Sequence, residues 1–364
     1  MGEVTLAKPK ALPVMTADTI VATESPRNET LDPHFRAGQD PWVLAMRKLL
    51  SDKAAMAALA CFIFIGLTCL AAPLYAAAAH VDPFRSNLDG QVMVAGKLQP
   101  VLEQSTEGLG LGYTPIGPTW QLGNYFLGAD NQGRDVFARL LYGGRNSLLI
   151  AGAATLLTLI GATIVGTAAG FFGGIADVIL SRLMDILWAF PIYLLAICLS
   201  VVLINQGMRI GPIVIDSGSL FLPIFIIGVV YIPYVTRPIR GQVLTLRRSE
   251  FVLAAIGIGV PAWRILYRDI LPNVLPTLIV LVPIMMAIDM TTESALSFLS
   301  IGVQAPDASW GTIIQDGIGL LYTRPWVALS GGIFIAVSVL ALNVLGDGVR
   351  DALDPKAKLR IGAR

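Results

Sequence analysis

Six apolar runs, each of a length to cross a bilayer, set the terms for this chain. They lie at about 54–79, 147–172, 186–204, 220–235, 274–301 and 326–349. A hydrocarbon core of ~30 Å needs about 20 apolar residues in helical form. The fourth run is the shortest, and Pro233 and Pro238 mark its end. The runs are continuous and do not alternate, which argues against a closed β-barrel. Inside lipid every backbone amide needs an internal partner, so the runs are read as helices. Composition agrees: 55% of the 364 residues are hydrophobic and 14% are charged, against about 25% charged in soluble domains. A net charge of +1 offers no bulk attraction for nucleic acid. The expected fold is an all-α membrane bundle of six helices.

Charge bias orients the bundle. With the N-terminus inside, the pieces 1–53, 173–185, 236–272 and 350–364 hold 19 of the 26 Lys and Arg. The outside pieces, 80–146, 205–219 and 302–325, hold the other 7. The loop 236–272 is short and carries six arginines: Arg237, Arg240, Arg247, Arg248, Arg264 and Arg268. Both termini are therefore expected in the cytoplasm. Residues 1–41 read as a disordered polar arm without a signal-peptide core. The first run then acts as an uncleaved anchor. Cys61, Cys69 and Cys198 sit in apolar runs and read as packing residues. The outside loop 80–146 is long and rich in Gly and Pro, and Trp120, Tyr125 and Phe126 suit a membrane interface.

The segment 250–273, EFVLAAIGIGVPAWRILYRDILPN, lies outside the bilayer between two apolar runs. Gly257, Gly259 and Pro261 break its helical pattern, which suggests two short helices with a turn at 259–261. Leu271 and Pro272 are expected to end the second helix before the fifth run. Ala254 and Ala255 are small enough for close approach of a partner's backbone. By shape alone, a helix resting on lipid is an equal reading.

This segment resembles the EAA loop of bacterial ABC-importer permeases. Glu250 precedes the Ala254–Ala255 pair by four residues, Gly259 takes the motif glycine, and Leu271–Pro272 take the terminal pair. Ile256 stands where Arg is usual in the peptide-permease form, and Asp269 where His is usual. Four further segments are similar in the same order: LGADNQGRDV at 127–136, DILWAFP at 185–191, LSFLSIGVQAPDASWG at 296–311 and LGDGVRDALDP at 345–355. The resemblance covers about 42–358 and is to the C-type permease subunit of dipeptide and oligopeptide importers. It implies a type I importer fold, with a transmembrane domain at 42–358 and a tail at 359–364. It also implies a homologous B-type permease, two cytoplasmic ATPases and an extracytoplasmic solute-binding protein as partners. The ATPases would carry ATP and magnesium, and this chain no cofactor of its own. The place implied is the bacterial inner membrane. The loop, through Glu250, Ala254, Ala255, Gly259, Leu271 and Pro272, would couple to an ATPase. Relatives of such permeases carry nickel, glutathione or haem, so the cargo is the least defined element.

Other residues invite functional readings. Asp130, Arg134 and Asp135 precede the second run, and either cap that helix or face the delivery protein as an outer gate. Asp289 and Glu293 share one face of the fifth run. Intramembrane carboxylates are costly and usually face a cavity or a partner, so both are candidates to line the translocation path. For Glu293 the plainer alternative is bonding to Ser294, Ser297 or a neighbouring helix. Gly161, Gly166 and Gly170 favour close helix packing. Arg182 and Asp185 pair at the surface, and Trp188, Trp310 and Trp326 read as interface anchors. A G-x-x-x-x-G-K-[ST] phosphate loop is missing from the sequence. The turn Gly108–Gly112 does not open a helix after a strand, so it carries no nucleotide reading. A stand-alone secondary transporter is the rival class, and would call for inverted repeats. A membrane-embedded enzyme would call for a nucleophile–base pair or a metal cluster.

Overall fold

A computed structural model describes residues 41–354, apart from 95, 105–111, 124, 211–212 and 217. Among these described residues, those from Ala45 onward form one compact unit. The expected arm before Pro41, the tail at 359–364 and the stretch 108–111 lie outside the described residues.

The first apolar run divides into two helices. Helix α1 (Pro41–Ser51) precedes α2 (Lys53–Leu70), which Asp52 caps by accepting from the Ala54 amide at 2.9 Å. Helix α3 (Ala72–Ala79) follows with Pro73 in its first turn, where no amide donor is needed. The second run starts earlier than expected. Helix α4 (Val136–Phe172) has 37 residues, about 55 Å of rise. Its first turns take up the end of the segment assigned to the outside loop, because residues 136–146 contain no helix breaker strong enough to outweigh packing.

The third and fourth runs are bent. Helix α5 (Gly174–Trp188) occupies the piece expected as a cytoplasmic loop, and turns by 86° into α6 (Ile192–Gln206). The corner falls at Phe190–Pro191, where the proline disfavours helical geometry in the residue before it. Helix α7 (Phe221–Val230) bends by 44° into α8 (Ile232–Arg247), so the fourth run stays helical well beyond Val235. Pro233 is accommodated in the first turn of α8. Helices α9 (Glu250–Gly257) and α10 (Ala262–Ile265) lead through a π turn, Leu266–Ile270, into α11 (Leu271–Phe298). Helix α12 (Trp310–Gly317) and α13 (Trp326–Leu353) are the last helices among the described residues. Among the described residues, four helices are long and apolar enough to cross a membrane, or up to six if each bent pair is one span.

The segment expected outside is partly built from antiparallel hairpins: β1 (Gln91–Val94) with β2 (Lys97–Pro100), and β3 (Leu102–Gln104) with β4 (Tyr113–Pro115). A third hairpin, β5 (Met208–Ile210) with β6 (Ile213–Ile215), joins α6 to α7.

Helix α4 is the central post. One apolar cluster joins its Ile150 and Leu159 to Ile227 on α7, Ile239 and Val243 on α8, and Met285 on α11. A second joins its Leu140 to Ile65 on α2, Met290 on α11, Trp310 on α12 and Leu342 on α13. Glycines let α8 approach. A Cβ at Gly166 would lie 2.9 Å from Ile239 and 3.1 Å from the Thr236 carbonyl. A Cβ at Gly170 would lie 2.9 Å from Val243 and 3.0 Å from the Arg240 carbonyl. The glycine stripe therefore serves packing within this chain. Trp310 corrects its reading as an interface anchor: it is fully buried, and its indole N–H donates to the Leu140 carbonyl at 3.0 Å. Tyr125 is likewise buried, inside the outside segment.

Candidate functional site

The loop after α8 is a pair of short helices hung from the core. Glu250 opens α9 and is exposed, which suits an acid at a helix N-terminus. The helix ends in a Schellman motif. The Gly259 amide donates to the Ile256 carbonyl and the Val260 amide to the Ala255 carbonyl, both at 3.0 Å. Gly259 sits at φ +80° with open space where a Cβ would be, so the glycine answers a backbone need. Val260 and Ala255 pack back onto the core. Val252, Ile265 and Ile270 are buried in the same cluster as Val243 and Val274. The opposite face is bare: Leu253, Ile256 and Trp263 are exposed, Ile258 is 82% exposed and Tyr267 73%. The loop is thus anchored on one side and presents an apolar surface on the other. Ala254 lies on the exposed side.

Leu271 and Pro272 do not end a helix, contrary to expectation. Pro272 has no amide to bond the Arg268 carbonyl, and the preceding turn widens into the π form instead of breaking. The chain stays helical from Ala262 to Phe298. The loop is also tied to α8, where the Gln242 side chain donates through Nε2 to the Asn273 carbonyl at 2.8 Å. Arg240 on α8 grips Asp177 on α5 through two bonds, at 2.5 and 2.7 Å. Asp185 lies nearer to Arg237, at 3.3 Å, than to Arg182, at 4.0 Å, and Arg237 also covers the Trp188 ring. Sequence reasoning missed both ties, because they join residues about 50 to 60 positions apart.

In the segment expected outside, LGADNQGRDV folds as a tight loop ahead of α4. Gly128 at φ +87° and Gly133 at φ +72° make it possible. A Cβ at Gly128 would meet the Ile116 carbonyl at 2.6 Å, and one at Gly133 would strike the Asn87 carbonyl. Asp130 is buried, accepts from the Gln132 and Arg134 amides, and pairs with Arg134 Nε at 2.7 Å. Arg134 and Arg139 both reach Asp316 on α12, at 3.1 and 2.9 Å, and Arg139 Nε lies 3.4 Å from Asp130. Arg139 and Asp316 were not singled out from sequence. An arginine in the first turn of so apolar a helix was the available signal. Burial pushes the Asp316 carboxyl above its ordinary range, against the pull of Arg139 and Arg134. Asp135 caps α4 by accepting from the Ala138 amide at 2.8 Å. Desolvation by burial raises its carboxyl to about 6, against the lowering effect of the amides around it, with Asp130 adding a smaller push upward.

Asp289 and Glu293 are both fully buried within this chain. Thr155 on α4 donates to Asp289 Oδ2 at 2.7 Å, and Asp289 Oδ1 has no partner. Ser297 donates to Glu293 Oε1 at 2.7 Å and Ser294 to Oε2 at 3.3 Å.

Residues 162–359 match the family described as binding-protein-dependent transport system inner membrane component. Residues 40–100 match the N-terminal TM domain of oligopeptide transport permease C. The dipeptide transport system permease protein DppC of Alkalihalophilus pseudofirmus is 33% identical over 87% of this chain and 91% of that protein. The oligopeptide transport system permease protein OppC of Bacillus subtilis is 34% identical over 87% of this chain and 90% of that protein. The glutathione transport system permease protein GsiD of Pectobacterium atrosepticum is 36% identical over 64% of this chain and 73% of that protein.

Proposed function

Since the chain belongs to the family of binding-protein-dependent transport permeases, the inner-membrane components of ABC importers, we propose that it passes peptides across that membrane. It is a transport subunit and not an enzyme, and ATP hydrolysis belongs to partner subunits. In this reading six spans, two of them bent, cross the membrane in a type I importer arrangement with both termini in the cytoplasm. A homologous B-type permease supplies the other half of the path. Two ATPases holding ATP and magnesium dock from the cytoplasm, and a solute-binding protein delivers cargo from outside.

The observation that carries the reading is the two-sided loop at 250–267. Val252, Ile265 and Ile270 fix it to the core while Ile258, Trp263 and Tyr267 stand exposed. A surface of that kind on a charged cytoplasmic loop suits a cleft in a soluble partner. Its rigid attachment to α8 and α11 carries a push from that partner into the spans. Asp289 and Glu293 bond to this chain's own hydroxyls, which favours an interior structural role for them over lining the path. Asp130 and Arg134 hold the outer loop to α12, which favours a structural latch over direct contact with the delivery protein. Peptide cargo rests on the two relatives similar over most of the chain.

The test is coupling. Ile258→Asp and Ala254→Asp alter exposed positions and leave the buried anchors alone. The complete transporter carrying either variant is expected to lose stimulation of ATPase activity by peptide-loaded binding protein at least tenfold, at equal permease abundance. Stimulation at the wild-type level would remove the loop from the coupling path.

A further inference from the structure

Helix α8 meets its two neighbours in opposite ways. Against α4 it packs dry, with Ile239 and Val243 seated over Gly166 and Gly170. No residue of α5 joins either of the apolar clusters built on α4. Side-chain tips tie α5 to α8 instead. Asp177 pairs with Arg240 and Asp185 with Arg237, while Trp188 stacks on Tyr234 at 5.8 Å and lies under the Arg237 guanidinium. Between α4, α5 and α8 stands a half-open cavity of about 460 Å³. Its wall includes Val165 and Ala169 of α4, Leu180 and Ser181 of α5 and Thr236 of α8.

The rest of α5 leans on little in this chain. Met184 is its one buried residue, and Ile175, Val178, Ile179, Leu183 and Ile186 are exposed. Lipid or a neighbouring chain can cover that outer face. The inner face is the telling one. Close apolar packing is lost steeply on separation, so the α4–α8 contact resists parting. Partly exposed ion pairs contribute little, and their charges regain water when they part. The α5–α8 contact is therefore the one that opens at low cost.

Both ends of α5 are built to turn. Gly173 at φ +66° and Gly174 at φ +55° join it to α4, in a region that glycine enters without steric cost. A Cβ at Gly174 would meet nothing within 4 Å, which leaves that corner room to rotate. At the other end lies the 86° corner at Phe190–Pro191, where the proline nitrogen has no amide donor to carry the helix through. Hinges are commonly a few residues at the ends of elements. Between the two corners the helix is unbroken.

We propose that α5 is a hinged gate. It swings as one rigid helix about Gly173–Gly174 and Phe190–Pro191, and its ion pairs with α8 are the latch that holds it over the cavity. Asp177–Arg240 is the main latch, because it is two-pronged and less exposed than Asp185–Arg237. The gate uses only contacts within this chain, and stands whether or not the loop at 250–267 couples to an ATPase.

The test uses the complete transporter, both permeases with their ATPases, in lipid nanodiscs without nucleotide. Spin labels are placed in a background lacking Cys61, Cys69 and Cys198, at positions that are exposed. Ile179 with Leu340 reports α5 against α13, Gly241 with Leu340 reports α8, and Ile175 with Ile186 reports the length of α5 itself. Pulsed electron resonance is expected to show a second, displaced population for the Ile179 pair in Asp177→Arg, with the other two pairs unchanged. A cysteine in place of Ala169, which is 1% exposed, is expected to react with a maleimide at least tenfold faster in Asp177→Arg than with the latch intact. The double swap Asp177→Arg with Arg240→Asp is expected to restore both readings. Asp177→Asn serves in place of Asp177→Arg if the reversal does not assemble. An unmoved Ile179 pair with an unchanged maleimide rate would overturn the gate. So would broadening of the Ile175 pair, which means melting, or an equal shift of the Gly241 pair, which means a loosened bundle. Failure of the double swap to restore would remove the ion pair as the latch.

Discussion

Asp135 shows how one side chain can carry opposed terms. As a cap it satisfies an amide at the head of α4. As a buried carboxylate it titrates near 6 when folded, against 3.8 for the free group. The folded state therefore binds the extra proton between those values, and the stability contributed by this group falls as pH rises through that window. Two units correspond to about 3 kcal/mol. Asp135→Asn is expected to raise the thermal stability of the reconstituted transporter at pH 7.5, with the gain shrinking as pH falls from about 6 toward 4. A melting-temperature difference that stays constant across pH 4.5–7.5 would contradict this. The motif around Asp135 was legible because its glycines and aspartates are contiguous. Arg139 and Asp316 were not, because their meeting depends on α12 crossing the head of α4, and they lie 177 residues apart.

At the scale of elements, apolar length located the runs that fold as four long helices and two bent helix pairs, but misplaced their edges. Helix α4 begins at Val136 because its first turns bury Leu140 and Val136 against neighbouring elements. Tertiary burial extends a helix past the point where hydropathy alone stops it. The bends at Phe190–Pro191 and Tyr231 follow local backbone chemistry, but from sequence Pro233 and Pro238 read as the end of the fourth run, and Pro191 did not read as a corner. The angles of the bends, 86° and 44°, depend on what each half packs against. Helix α8 shows the cost of such contact. It can approach α4 only where Gly161, Gly166 and Gly170 leave room. Gly170→Leu would drive a side chain into Val243 and the Arg240 carbonyl. A loss of about 3 kcal/mol is expected, at the upper end for overpacking. Unfolding of the purified permease in graded denaturant checks it, with Gly332→Leu, where a Cβ meets nothing within 4 Å, as the control.

At the scale of the whole molecule, the orientation expected from the charge bias can be tested directly. In a background lacking Cys61, Cys69 and Cys198, a cysteine at Gly257 is expected to react with a membrane-impermeant maleimide only in inside-out vesicles. One at Lys97, on an exposed strand of the outside hairpins, is expected to react only in intact cells. The reverse pattern would invert the topology. What the sequence determined by itself was the class of fold, the number of apolar runs and the small-residue turn at Gly259. Chain length, hydrophobicity and the φ preference of glycine are local properties, and they read the same before and after folding. Only the tertiary structure decided which side of the loop at 250–267 is anchored and which is bare. It also decided that Asp289 and Glu293 turn inward to Thr155 and to neighbouring serines, and that Asp135 caps α4 from a buried position. Those outcomes depend on the partner across the bundle or the loop, and a linear order of residues does not contain that distance.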